Sequence, residues 1–266
     1  MKKTLFFLFL IFHTLTNQAQ TEPSVNLEET GIWAGLYLKI RLNKTLGYYA
    51  EHHYRARNSV DNITSFVGRP RQVYNRFGLN IFVNDNFEIV VGPTLVFNFT
   101  PDPGNPNYET TTVEPRIWHQ WLFKSPKIGR VKLIHQFRFE HRWKKSNEVG
   151  ANYQYTNRYR YKLFSYIPLN KPVIEPKTFF FSPSVEIFMQ SGHNIAYNPF
   201  EDFRTYNGFG YVINNSVTLF AGHMWTLGQK STGYEYKTSH ILRFNVFIGI
   251  DGRKTANRLP KINLGY

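Results

Sequence analysis

The stretch VKLIHQFRFEHRW, residues 131–143, decides the fold class, because its side chains change character at every second position. One face carries Val131, Leu133, His135, Phe137, Phe139, His141 and Trp143. The other face carries Lys132, Ile134, Gln136, Arg138, Glu140 and Arg142. This alternation indicates a β-strand whose two faces meet different surroundings. A soluble β-sandwich would bury the aromatic face in a core, whereas a transmembrane β-barrel would turn it to lipid and enclose the charges in its lumen.

The same alternation recurs along the chain in segments bounded by Gly, Asn, Asp or Pro, the residues that favour turns. The predicted strands are 31–42, 46–57, 72–83, 87–99, 113–122, 131–143, 153–165, 178–190, 204–213, 216–226 and 238–250. Most of them are long enough to cross a membrane at a tilt. Tight turns at 43–45, 84–86 and 214–215 alternate with longer polar connections, which is typical of outer-membrane barrels.

The predicted fold is therefore all-β: a single antiparallel up-and-down transmembrane β-barrel of about 12 strands, with 10–12 compatible. The count is raised from the eleven recognised segments because bacterial single-chain barrels have even strand numbers. The candidates for a further strand are 20–29, 63–67 and 259–266.

Residues 1–19 have the features of a cleaved secretory signal peptide, with Lys2 and Lys3 before a short apolar run and Ala19 at the cleavage site. The predicted barrel domain is then 20–266, and the predicted localisation is the cell outer membrane. The chain contains no Cys, which excludes a lipid-anchored lipoprotein, disulfides and thiolate metal sites.

Composition fits a membrane barrel better than a soluble core. The chain is 17% aromatic, yet its mean hydropathy is −0.40, as expected for aromatic girdles around a polar lumen. The formal net charge is +14. Because the leader argues against nucleic acid as a partner, the predicted partners are outer-membrane lipid, anionic lipopolysaccharide and a small polar solute.

Charged residues keep to one face of the predicted strands and so form a candidate lumen charge network. Its members are Glu51, His53, Arg55, Arg76, Glu88, Glu114, Arg116, Arg138, Glu140, Arg142, Arg158, Arg160, Lys162 and Glu186. Two interpretations stay open. The network could bind or pass a small polar solute, and the excess of Arg over Glu would favour an anion. Alternatively, it could plug a narrow barrel, where every buried charge needs a partner.

No catalytic residue, metal site or cofactor is predicted. The adjacent His52 and His53 face opposite sides of a strand, and His119, His135 and His141 share the face of the lipid-directed aromatics. The nearest approach to a catalytic constellation is 191–193 (Ser-Gly-His) with 201–202 (Glu-Asp), whose spacing matches no known pattern. A lipid-modifying acyl hydrolase or acyltransferase therefore remains an alternative, as does a soluble glycan-binding β-sandwich.

The leader, the opening Gly31-Ile32-Trp33, and the segments 137–143 (FRFEHRW) and 157–162 (NRYRYK) resemble the exported family called domain of unknown function 2490. The resemblance implies a small outer-membrane-type β-barrel over nearly the whole mature chain and assigns no activity. The alternating segment from His240 to Ile250 is similar to the terminal strand that barrel-assembly machinery recognises, although 16 residues follow it. The primary hypothesis is thus a non-enzymatic outer-membrane barrel that is structural or that binds or passes a small polar solute.

Overall fold

The computed structural model describes residues 25–195 and 198–253, so the predicted signal peptide and the candidate strand at 259–266 lie outside the described residues. The strands are β1 (Val25–Arg41), β2 (Leu46–Arg57), β3 (Arg69–Phe82), β4 (Phe87–Phe99), β5 (Thr111–Lys124), β6 (Lys132–Lys144), β7 (Gln154–Pro168), β8 (Phe179–Ser191), β9 (Phe200–Val212), β10 (Val217–Gln229) and β11 (Tyr236–Asp251). The described residues include no helix long and apolar enough to cross a membrane.

Each predicted strand is present in the predicted order. Strand β1 begins at Val25 rather than at residue 31, so part of the candidate segment 20–29 extends β1 instead of forming another strand. The candidate at 63–67 lies in turns and bends between β2 and β3.

The strands close into one barrel, which confirms the predicted fold class. Consecutive strands pair antiparallel, but β1 and β11 pair in parallel along a register that runs from Val25↔Tyr236 to Arg41↔Asp251. The parallel seam follows from the strand number. With eleven strands that alternate in direction, the first and the last point the same way and can close the sheet only in parallel. Residues 25–195 and 198–253 thus form eleven strands, which lies within the predicted range of ten to twelve, and among these strands the seam is the one departure from an all-antiparallel sheet.

The two ends of the barrel differ in their connections. We call one end the turn rim; it carries 42–45, 83–86, 125–131, 169–178 and 213–216. The other end is the loop rim; it carries 58–68, 100–110, 145–153, 192–199 and 230–235. Three turn-rim hairpins share one device, in which an Asn side-chain oxygen accepts backbone N–H bonds at 2.8–2.9 Å from residues two and three positions later. This is why Asn43, Asn84 and Asn214 mark the tight turns in the sequence.

Burial along the strands is inverted relative to a soluble protein. In β6, Arg138, Glu140 and Arg142 are buried, whereas Phe137 and Trp143 are each 37% exposed. The same outward position is held by Leu36, Tyr54, Leu79, Val91, Leu95, Ile117, Trp121, Tyr159, Val185, Ile187, Phe209, Leu219, Phe244 and Ile250, all of them exposed. A β-sandwich would cover such a face with a second sheet. The single closed sheet therefore shows that the sandwich alternative is wrong.

Histidines on the outer face bond to neighbouring side chains. The pairs are His52 with Asn75 at 2.9 Å, His135 with Tyr161 at 2.9 Å, His141 with Asn157 at 2.7 Å and His223 with His240 at 3.0 Å. Polar groups that face hydrocarbon need partners within the protein, because lipid offers none. These pairs therefore give the imidazoles on the outer wall polar partners within the protein.

An apolar layer, which we call the floor, closes much of the lumen near the turn rim. It consists of Leu122, Ile134, Phe164, Tyr166, Phe180 and Val212, all of them buried. Ile174, from the connection between β7 and β8, packs against this layer. Beside this layer, Glu88, which is paired with Leu122 in the sheet, binds Lys39, and it lies 3.3 Å from Lys124 Nζ. The lumen is thus filled with side chains at this end.

A large aromatic ring fits inside the wall where two glycines face each other. Trp118 is fully buried, and its indole N–H donates to the carbonyl oxygens of Phe77 at 3.2 Å and Pro93 at 3.3 Å. Between those carbonyls lie Gly78 and Gly92, and a Cβ built on Gly92 would come within 2.2 Å of the Phe77 oxygen. Only glycine allows so close an approach of the two strands beneath the indole.

Candidate functional site

The structure places all fourteen predicted network residues on the inward face of their strands. Ten of them are buried to at least nine-tenths: Glu51, His53, Arg55, Arg76, Glu88, Glu114, Arg116, Arg138, Glu140 and Arg142. Glu186 is equally buried, and Arg158, Arg160 and Lys162 line the same lumen. Strand alternation is sufficient for this placement, because inward positions recur at every second residue around a closed sheet.

Glu140 is the hub of the network. Its two carboxylate oxygens accept from Arg76 at 3.0 Å, Arg116 at 2.9 Å and Arg160 at 3.0 Å, with Arg158 at 3.4 Å. Its side chain is 0% exposed. Four arginines from three other strands thus converge on one carboxylate, which ties β3, β5 and β7 to β6 across the lumen.

Each of these four arginines also has a second carboxylate. Arg76 binds Glu51, Arg116 lies 3.0 Å from Glu114, Arg158 binds Glu201 at 2.6 Å, and Arg160 binds Glu186 at 2.7 Å. Arg138 joins the network through Glu51 at 2.7 Å and Gln120 at 2.6 Å. Cations and carboxylates therefore alternate through the centre of the barrel, so most charges there are compensated.

Glu88 is the predicted residue that stands apart. Its partners Lys39, Lys124 and Asn80 lie near the turn rim, where they form a separate ion-paired group beside the floor. Lys39 and Lys124 were not among the predicted residues, although each follows the inward alternation of its strand. The alternation in the sequence is weak near strand ends, so inward positions such as these are difficult to recognise there.

Four further lumen residues were missed by sequence reasoning. Arg204 pairs with Asp202, Glu201 accepts from Arg142 at 3.0 Å, and Arg243 donates to the Tyr37 hydroxyl at 3.1 Å. The sequence placed Glu201 and Asp202 in a loop, but β9 begins at Phe200. Arg243 lies on the inward face of the predicted strand 238–250, so its alternation was a usable signal.

The candidate catalytic constellation is not assembled. The Ser191 hydroxyl is 3.1 Å from that of Tyr159 on the outer face, whereas Glu201 is held by Arg158 inside the lumen. His193 lies exposed in the loop that follows β8. The sheet wall therefore separates the groups that would act as nucleophile and orienter. The described residues hold no group of three or more His, Asp or Glu side chains arranged to bind a metal.

The lumen contains a cavity of about 90 Å³ on the loop-rim side of the floor. Nine Lys and Arg side chains line it. Six of them have a carboxylate partner: Arg76, Arg116, Arg138, Arg158, Arg160 and Arg204. For Arg55, Lys162 and Arg243, no carboxylate oxygen of the described residues lies within 4.0 Å. The cavity wall therefore carries a surplus of positive charge.

The model of the family "Protein of unknown function (DUF2490)" matches residues 30–237. The chain belongs to the DUF2490 family. The DUF2490 match begins within β1 and ends at the start of β11, so it spans all fourteen predicted network residues and confirms the resemblance seen in the sequence. Arg243 lies beyond the matched region.

One solved structure similar to this DUF2490 chain is described as "NanC porin structure in rhombohedral crystal form". It is 10% identical, with a TM-score of 0.44, and the alignment covers 82% of this chain and 98% of that one. No curated protein matches the chain.

Proposed function

We propose that this DUF2490 chain is an outer-membrane β-barrel whose closed lumen binds a small polar solute. The observation that carries the proposal is the inverted burial: ion-paired side chains are enclosed, while large apolar side chains are exposed around the outside of the barrel. Soluble proteins rarely expose so continuous an apolar surface. A closed sheet also leaves no unpaired edge to face hydrocarbon, which a spanning structure requires.

The interior supports binding rather than open conduction. The floor and the Lys39–Glu88 group fill the turn-rim end of the lumen, and the cavity measures about 90 Å³. Barrels of about eight strands hold side chains or one small ligand, whereas 16–18 strands leave an aqueous channel. An eleven-strand barrel filled in this way resembles the smaller barrels, which hold side chains or one small ligand.

The part of the network in which every arginine has a carboxylate partner supports a structural role, which is to hold the strands of the barrel together. Glu140 and its four arginines join strands on opposite sides of the lumen, and each of these arginines has a second partner. A solute would have to displace these pairs in order to bind there. The capacity to bind a solute is therefore assigned to the part of the cavity wall where cations lack a carboxylate.

The proposed partners follow from the outer surface and the termini of the sheet. Exposed aliphatic and aromatic side chains would contact membrane lipid, and the net charge of +14 favours anionic lipopolysaccharide. Strand β11, with outward His240, Leu242, Phe244, Val246, Ile248 and Ile250, is the proposed recognition segment for barrel-assembly machinery. Export through the cleaved leader at 1–19 is part of the same proposal.

Fractionation and conductance together test the proposed function. The expressed chain should partition with the outer membrane, require detergent for extraction, and migrate differently on gels before and after boiling. Reconstituted in a planar bilayer, it should show no steady ion conductance. Recovery of the chain as a soluble periplasmic monomer would refute the membrane assignment, and a large, stable conductance would refute the closed lumen.

A further inference from the structure

Three neighbouring inward side chains form a distinct part of the cavity wall at the parallel seam. Trp33 on β1 is paired with Arg243 on β11 and with Arg55 on β2. Adjacent strands are about 5 Å apart, so the two arginines flank the indole closely. Their guanidinium carbons lie 3.7 Å (Arg55) and 5.9 Å (Arg243) from the Trp33 ring centroid.

The polar contacts of these two arginines are neutral. Arg55 donates to the side-chain oxygen of Gln72 at 3.1 Å and to the Tyr74 hydroxyl at 3.3 Å. Arg243 donates to the Tyr37 hydroxyl at 3.1 Å. Neutral acceptors satisfy N–H groups but leave the positive charges uncompensated, which is costly in an enclosed site.

Several buried donors at the same wall make no hydrogen bond within the described residues. They are Arg55 Nε, Arg243 Nε, Trp33 Nε1 and the Tyr206 hydroxyl. Trp33 is 4% exposed and Tyr206 is 5% exposed, and all four residues line the cavity. Buried polar groups are nearly always hydrogen-bonded, so these four donors are available to a ligand in the cavity. They match a ligand that offers several acceptor oxygens.

We infer that the part of the cavity beside this wall, which we call the seam pocket (Trp33, Arg55, Tyr206 and Arg243, with Lys162 of β7 across the lumen), binds a small oxyanion. The inference rests on the proposed function and names the chemical class of its solute. Arginine recognises carboxylate and phosphate through paired N–H donors, and the indole and phenol groups add neutral donors. A cation would be repelled, and an uncharged sugar would leave the surplus charge in place.

The volume of the cavity limits the size of the oxyanion. Because a water molecule needs roughly 10–15 Å³ of such volume, a cavity of about 90 Å³ holds a ligand equivalent to several waters. Inorganic phosphate and a short dicarboxylate such as succinate are both within this range. The common chemistry is a compact group of anionic oxygens, and the two probes distinguish an inorganic from an organic source.

Binding to the folded, detergent-solubilised barrel tests the inference. Calorimetric titrations with phosphate and with succinate should each be compared with chloride at matched ionic strength. We expect saturable binding of at least one oxyanion, accompanied by a change in tryptophan fluorescence that is lost in Trp33→Phe. Because a charged hydrogen bond contributes about 1.5–3 kcal/mol, Arg55→Gln and Arg243→Gln should each weaken binding about tenfold or more.

Arg142→Gln is the matched control, because Arg142 is a buried lumen arginine that does not line the cavity and that pairs with Glu201. It should leave affinity within about twofold of wild type. The inference is overturned if the folded wild-type barrel binds neither oxyanion more strongly than chloride, or if Arg142→Gln weakens binding as much as Arg243→Gln. Lys162→Gln provides a third test should Arg55→Gln fail to fold. A barrel that is heat-modifiable but binds no oxyanion refutes the seam pocket alone, whereas a soluble chain refutes the proposed function.

Discussion

Replacing the hub carboxylate by its neutral isostere should destabilise the barrel by about 3 kcal/mol, the lower end of the range for breaking a buried ion pair. Glu140→Gln keeps the shape of the side chain but removes the negative charge on which Arg76, Arg116, Arg158 and Arg160 converge. The lower end is expected because each of those arginines keeps a second carboxylate. None is left as an isolated buried cation.

The measurement is reversible denaturant unfolding of the barrel in detergent micelles or lipid vesicles, followed by tryptophan fluorescence and by the heat-modifiable gel shift. A loss of about 3 kcal/mol reduces the folding equilibrium constant roughly a hundredfold. Removing one cation together with the hub, as in Glu140→Gln/Arg116→Gln, should recover part of the loss, because the remaining charges are closer to balance.

The matched control is Glu109→Gln at the loop rim. Glu109 also forms a close ion pair, with its Oε1 2.7 Å from Lys145 Nζ, but its side chain is 34% exposed. Exposed pairs contribute at most about 1 kcal/mol, so the control should change stability by less than that. Equal effects of the two substitutions would show that enclosure in the lumen does not strengthen the hub, and the reasoning would fail.

Three further substitutions test the wall, the packing and the floor. Val91→Arg, on the outer face of β4, should cost about 2–4 kcal/mol in a bilayer, whereas Val67→Arg in an exposed loop should be near neutral; equal costs would argue against lipid contact. Gly92→Ala should destabilise by about 1–3 kcal/mol, because its Cβ would come within 2.2 Å of a backbone oxygen, while Gly228→Ala meets nothing closer than 3.9 Å and should be tolerated. Phe180→Ala should open a leak in planar bilayers by removing part of the floor, and its outward neighbour Phe181→Ala should not; a silent Phe180→Ala would show that the floor does not seal the lumen.

Side-chain alternation was enough to place the network on the inner wall. In β6, Arg138, Glu140 and Arg142 stand opposite Phe137, Phe139 and His141, so a one-residue shift would put three charges on the apolar outer wall. The contrast between the two faces shows which alternate positions point inward. It does not reveal which charges meet, because Glu140 contacts Arg76 from β3, 64 residues away in the chain.

Strand ends were the weakest part of the sequence prediction. Glu201 follows Asn198, Pro199 and Phe200, a group that reads as a loop, yet it lies on β9 and binds Arg158. The floor was missed for a related reason. Inward Leu122, Ile134 and Phe164 near the turn rim break the expected polar pattern of a lumen, and only their convergence from different strands shows that they form a layer.

The seam pocket could not be found from any local pattern, because it exists only when the sheet closes. Trp33 and Arg243 are separated by 210 positions in the chain and become neighbours through the parallel pairing of β1 with β11. The parallel direction of this pairing in turn depends on the odd strand number, which sets the direction of the last strand relative to the first. In an open or partly assembled sheet, Arg243 would have neither Trp33 nor Tyr37 beside it, so the pocket and its surplus charge are products of the completed barrel. Oxyanion binding would therefore report barrel closure, and it should be absent from unfolded or partly assembled chains.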